Sequence, residues 1–140
     1  MKILRRILSV LLVLWAGSVW SLLWVAVILF KLQSDRHVAG LIAARLFSIE
    51  TYLGVLVAVI ALLSTHRRKF AWGYLAASLL AINEWLLKPF ITLARENGMA
   101  AGLSFGSWHG VSAVIYLLAC CALVALVWLQ PVHIQFAENG

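Results

Sequence analysis

The chain has 140 residues, of which 64% are apolar and 11% charged, and its mean hydropathy is +1.00. That composition excludes a water-soluble domain and fits a single polytopic membrane domain over 1–140, in which four spans of ~20 residues use nearly all of the length. A net charge of +6 would suggest nucleic acid in a soluble protein, but here the basic residues stand beside apolar runs, as in the positive-inside pattern, and no nucleic-acid partner is expected.

Lys2, Arg5 and Arg6 precede an apolar run from Ile7 to Phe30. A basic start followed by an apolar stretch also describes a secretory signal, with Ala16-Gly17-Ser18 as its cleavage site. The run continues far past that site, so the reading is a spanning helix over about 7–30 with a cytoplasmic N-terminus. Trp15, Trp20 and Trp24 within it are read as packing residues.

Ser34-Asp35 supplies an N-cap for a second helix over about 36–64. It is longer than a bilayer needs, so Arg36, His37 and Arg45 are expected at the outer interface and Leu46 to Leu63 in the hydrocarbon. Thr65-His66-Arg67-Arg68-Lys69 then forms a short cytoplasmic turn. A third helix over about 70–96 contains Pro89, which should kink it and free the carbonyl of Trp85, with Asn83 as the expected partner of that carbonyl. Asn97-Gly98 stops the helix, and Gly98 to Ser104 makes the outer connection. The fourth helix covers about 107–129 and ends before Pro131, leaving a polar tail. Trp72 and Trp128 mark the cytoplasmic interface and Trp108 the outer one. The predicted fold is all-α, a four-helix membrane bundle with both termini inside.

Placing the cytoplasmic edge near Leu63, Phe70 and Trp128 sets Glu50 ~9 Å and Glu84 ~7 Å inside the outer edge, with Lys88 and His109 at that edge. Helical spacing puts Gly73, Ala77, Ala81, Glu84 and Lys88 on one stripe, and Ala43, Phe47, Glu50, Gly54, Ala58 and Ala61 on another. Both glutamates should therefore point inward, because small residues mark the faces where membrane helices approach. His109, Ser112, Tyr116 and Cys120 form a third stripe. Glu50, Glu84, Lys88, His109, Ser112 and Tyr116 are thus the expected outer-leaflet polar cluster. Gly17, Gly40, Gly54, Gly106 and Gly110 are the expected helix-packing glycines.

An acid in hydrocarbon costs about 2.5–3.5 kcal/mol on insertion scales, so Glu50 should be protonated or paired with His109 or Lys88, or serve as a structural interhelical hydrogen bond. Glu84 and Lys88 are four apart in the order that suits a helical ion pair. His109 is the candidate cofactor ligand, for haem or a metal; the chain carries no zinc-ligand spacing, no Walker loop and no nucleophile-base motif. Cys120-Cys121 lies mid-helix and reads as apolar packing rather than a disulfide or metal pair.

Trp15-Ala16-Gly17, Asp35-Arg36 with Ala39-Gly40, Leu46-Phe47 with Glu50, Tyr52 and Gly54, Pro89 with Ile91, and Phe105-Gly106, His109-Gly110 and Ser112 resemble the signature of bacterial four-helix proteins of unknown function akin to transmembrane protein 205. The resemblance covers all but the last ten residues or so, and departs where Ala26-Val27 stands in place of the Ala-Pro expected ahead of Leu29-Phe30. It implies a four-helix integral membrane protein without a transferable reaction. A more remote similarity to four-helix copper-resistance D-type modules rests on architecture alone, which does not establish function.

Two readings of function follow. One is a non-enzymatic accessory or assembly subunit of the bacterial inner membrane, contacting lipid and other membrane proteins or further copies of itself. The other is a small cofactor-binding or proton- or cation-linked transport protein using an outer Glu50/His109 cavity.

Overall fold

The computed structural model describes residues 2–63 and 70–129. The basic turn Thr65–Lys69, the stop at Pro131 and the polar tail lie outside the described residues, as do the side chains of Lys2, Arg5 and Arg6. Helix α1 spans Lys2–Leu32 and α2 spans Arg36–Leu62. Helix α3 (Ala71–Ala81) passes through a π-helical turn (Ile82–Leu87) into α4 (Lys88–Asn97). A hairpin of β1 (Met99–Ala100) and β2 (Leu103–Ser104) leads to α5 (Phe105–Leu129). Relative to the expected boundaries, the first helix starts five residues earlier and the last two residues earlier.

Among the described residues three segments are long and apolar enough to cross a membrane: Ile7–Leu32, Arg36–Leu62 and Phe105–Leu129, with mean hydropathies of 2.2, 1.8 and 2.6. The column from α3 to α4 runs beside them, its helical hydrogen bonding interrupted by the π turn. Packing follows a ring: α1 lies on α2, α2 on α3, α3 on α5 and α5 on α1. Leu80, Leu123, Leu126, Val19 and Cys120 are fully buried at the centre of this ring. The outward faces are apolar as well, with Leu14, Leu56, Leu86 and Leu118 among the exposed residues. A bilayer covers such a surface, and it leaves helix association to close packing and internal polar bonds.

Each chain reversal has a local cause. Asp35 Oδ1 accepts the backbone N–H groups of His37 at 2.8 Å and Val38 at 3.3 Å, capping α2 three residues after α1 ends. The outer connection is more ordered than a plain loop: Met99 pairs with Ser104 and Ala100 with Leu103. Both central residues, Ala101 (φ 48°) and Gly102 (φ 79°), have positive φ, the geometry of a tight two-residue hairpin. Gly102 adopts it freely and Ala101 does so at a cost. Ser104 Oγ then accepts the N–H of Ser107 at 3.3 Å and starts α5.

The π turn corrects the expectation of a simple proline kink. Lys88 N–H bonds to the carbonyl of Asn83, five residues back, immediately before Pro89. Pro89 has no N–H and its ring crowds the carbonyl four residues earlier, so widening the preceding turn relieves the clash there.

Glycine packing also differs from expectation. A Cβ on Gly54 would meet Trp15 Cζ2 at 2.5 Å, so α1 and α2 touch at this point through an indole laid over bare backbone. A Cβ on Gly40 would lie 4.0 Å from Phe30 Cζ and Arg95 Nη2. Among the described residues nothing stands within 4 Å of a Cβ built at Gly17 or Gly110, and at Gly106 only Ser104 Oγ of the adjoining hairpin does, so these three glycines make no close helix contact there. Trp24 is likewise not a packing residue: it is 69% exposed, because Trp15 and Val19 take the inward face of α1. Gly54→Ala should destabilise the protein by about 1–3 kcal/mol through overpacking against Trp15, whereas Gly110→Ala, which places a methyl in open space, should leave thermal unfolding in detergent unchanged or slightly raised.

Candidate functional site

The polar residues expected to form one cluster fall into separate groups. Ser48 on α2 and Glu84 on the π turn form the first, with Lys88 at the start of α4. Lys88 Nζ donates to Glu84 Oε1 in a short ion pair and to Ser48 Oγ at 2.7 Å, and Ser48 Oγ lies 2.8 Å from Glu84 Oε1. Glu84 is 11% exposed and Lys88 42%. The ammonium therefore neutralises the carboxylate while its stem reaches toward the edge of the bundle. The i,i+4 spacing brings the pair together on one helical column, and Ser48 ties it to α2.

Glu50 belongs to a second group. It is 8% exposed, and its Oε2 lies 3.1 Å from Ser18 Oγ on α1. The same hydroxyl lies 2.9 Å from the carbonyl of Trp15. A serine has one hydroxyl hydrogen, so it cannot fully serve a carbonyl and a carboxylate together. Its O–H is shared between the Glu50 carboxyl and the Trp15 carbonyl. Trp15 Nε1 is buried beside Gly54 and has no hydrogen-bond partner among the described residues. No hydrogen bond or ion pair among the described residues joins Glu50 to His109 or Lys88.

The third group is a reciprocal clamp between the π turn and α5. Asn83 Nδ2 donates to the carbonyl of Ser112 at 3.2 Å, and Ser112 Oγ donates to Asn83 Oδ1 at 2.7 Å. Asn83 thus serves Ser112 instead of the carbonyl freed by Pro89, because the π turn swings it toward α5. One turn further along α5, the buried Tyr116 hydroxyl donates to the carbonyl of Val19 at 2.8 Å, and its ring meets Phe47 edge-on at 4.7 Å. Trp20 Nε1 donates to the carbonyl of Cys120 at 3.3 Å, a second tie between α1 and α5.

His109 stands apart from all of these. It is exposed and stacks on Phe105 with centroids 5.8 Å apart and rings 18° from parallel. Arg95 Cζ lies 5.2 Å from the centre of the same Phe105 ring. Nearby, Trp108 stacks on Phe90 at 5.0 Å and donates to the carbonyl of Ala100 at 2.8 Å. Among the described residues there is no group of three or more His, Cys, Asp or Glu side chains placed to hold a metal. Cys120 is buried and Cys121 exposed.

Ser18 and Ser48 are the members that the sequence reading missed. Each sits one helical turn after a residue whose carbonyl it contacts, Trp15 and Ala44, so alone each looks like an ordinary back-bonded helical serine. Each pairs with a glutamate on a different helical column, a contact set by the relative rotation of two helices and not by spacing along one.

A family model matches residues 10–140, nearly the whole chain, from within the first long apolar helix onward and including the polar groups between the helices. The chain belongs to the DUF4149 family. DUF4149 is a domain of unknown function, so membership brings no reaction with it. No curated protein and no solved structure matches the chain. For this DUF4149 protein the clearest measurable feature is the Asn83–Ser112 clamp. A double-mutant cycle of Asn83→Ala and Ser112→Ala should give a coupling energy of about 0.5–1.7 kcal/mol, the range of interhelical bonds in membranes; strict additivity would mean the two side chains do not depend on each other.

Proposed function

We propose that this DUF4149 protein is a single-domain, four-span protein of the bacterial inner membrane, related to transmembrane protein 205, with both termini in the cytoplasm. In this reading it works without catalysing a reaction, as an accessory or assembly partner of other membrane proteins or of further copies of itself. The observation that carries the reading is the closure of Glu84, Lys88 and Ser48 on one another across two helical columns. Charged groups that satisfy each other in this way brace a bundle and leave the outward surface as the part that meets other molecules. That surface includes an open groove of about 280 Å³ beside the π turn, lined by Ala81, Ile82, Trp85 and Leu86. An apolar partner helix suits such a groove. Extraction in mild detergent after in-membrane crosslinking should yield one defined larger complex, and Ala81→Trp should weaken it without unfolding the chain. A monomer with no crosslinked species would refute the accessory role.

Glu50 favours a second reading, proton- or cation-linked transport. Its one hydrogen-bond partner among the described residues is the neutral Ser18 hydroxyl, not a cation, and an intramembrane acid without a counter-charge is a functional group by default. A neutral, membrane-buried carboxylic acid reacts with an apolar carbodiimide. Labelling should fall on Glu50 and vanish in Glu50→Gln, and the same substitution should alter proton movement into vesicles. Labelling without any change in flux would leave Glu50 a structural acid.

A further inference from the structure

Four helix ends meet on one side of the bundle, and they carry more positive charge than the protein itself neutralises. Helix α1 finishes there with Lys31, α2 begins with Arg36, α4 finishes with Arg95, and α5 begins with Phe105. Gly40 joins them, since a Cβ at that position would lie 4.0 Å from both Arg95 Nη2 and Phe30 Cζ. The Arg95 guanidinium therefore sits between bare backbone of α2 and the Phe105 ring of α5. Arg36 precedes Gly40 by four residues, so it lies on the same face one turn closer to the end of α2.

The nearby acids do not use these cations. Asp35 accepts the N–H groups of His37 and Val38. Glu96 is exposed and forms no ion pair among the described residues. Glu84 is taken by Lys88, the single salt bridge among the described residues. Lys31, Arg36 and Arg95 are exposed and lack a carboxylate partner among those residues. Ile7–Leu32 ends here and Arg36–Leu62 and Phe105–Leu129 begin here, so the cations flank the ends of the apolar segments, as basic residues at a bilayer interface do.

We propose that this end of the bundle binds the phosphate of an anionic phospholipid, with the Arg95 guanidinium, 5.2 Å from the centre of the Phe105 ring, as its fork and Arg36 and Lys31 as supporting charges. A guanidinium fork matches two oxygens of a phosphate better than a mobile ammonium does. The Phe105 ring and the bare backbone at Gly40 flank the guanidinium. The lipid is already at hand in the surrounding leaflet, and its net negative charge answers the local excess of cations.

The full-length chain in neutral detergent micelles, titrated with phosphatidylglycerol, phosphatidylcholine or glycerol 3-phosphate and read by native mass spectrometry, tests this. Phosphatidylglycerol should be retained in preference to phosphatidylcholine. Arg95→Gln should weaken that retention about tenfold or more, as loss of a charged hydrogen bond implies. Phe105→Leu, which keeps the charge but frees the guanidinium, should weaken it less. Arg45 is exposed on a different face of α2, so Arg45→Gln should leave binding unchanged. Circular dichroism on each variant separates lost binding from lost fold. Equal retention of both lipids, or an equal loss in Arg45→Gln, would overturn the proposal in favour of diffuse attraction. Full competition by glycerol 3-phosphate would overturn the lipid as occupant and point to a soluble phosphate.

Discussion

A polar group between membrane helices has no water to turn to, and this constraint shapes the fold more than any apolar contact does. The apolar residues are nearly interchangeable with lipid, whereas Glu84, Glu50, Asn83 and Tyr116 each need a particular neighbour at a particular height. Lys88 and Ser48 meet the first, Ser18 the second, Ser112 the third and the Val19 carbonyl the fourth. Together these bonds tie α1 to α2, α2 to the π turn, the π turn to α5 and α5 back to α1. The ring of helices is therefore the same ring as the ring of polar contacts.

Much of this was legible in the sequence, for identifiable reasons. Uninterrupted apolar runs leave few options for α1, α2 and α5, and Asp35 marks the start of α2 as a capping residue should. Spacing of small residues put Glu50 on the inward face, where it is found. The i,i+4 arrangement of Glu84 and Lys88 foretold their pairing, because that contact is local to one helix.

What remained hidden was non-local or depended on hydrogen-bond register. Which serine would meet which glutamate depends on how two helices rotate against each other, and one sequence carries no record of that. The π turn escaped because a proline is consistent with a kink, a break or a widened turn; helical periodicity alone does not choose. That choice redirected Asn83 from the backbone to Ser112. His109 looked central because its spacing continued the stripe of Ser112 and Tyr116, but the stripe leaves the bundle before it reaches that position, and Phe105 and Arg95 become its company instead. The glycines before it proved to be turn and surface positions, whereas Gly54, less conspicuous in the sequence, is the one a tryptophan side chain covers.

The π turn also means that chain length is a structural variable in the third column. A widened turn holds one residue more than an α-helical turn, and a single residue is worth about 100° of rotation around a helix axis. Without that residue, α4 would emerge facing a different quadrant. Lys88 would leave Ser48, and Arg95 would leave the space between Gly40 and Phe105. The two ends of the third column are thus phased against each other by a count of residues, so a one-residue deletion between Ile82 and Leu87 acts at a distance that no single side-chain replacement in the same stretch can reach.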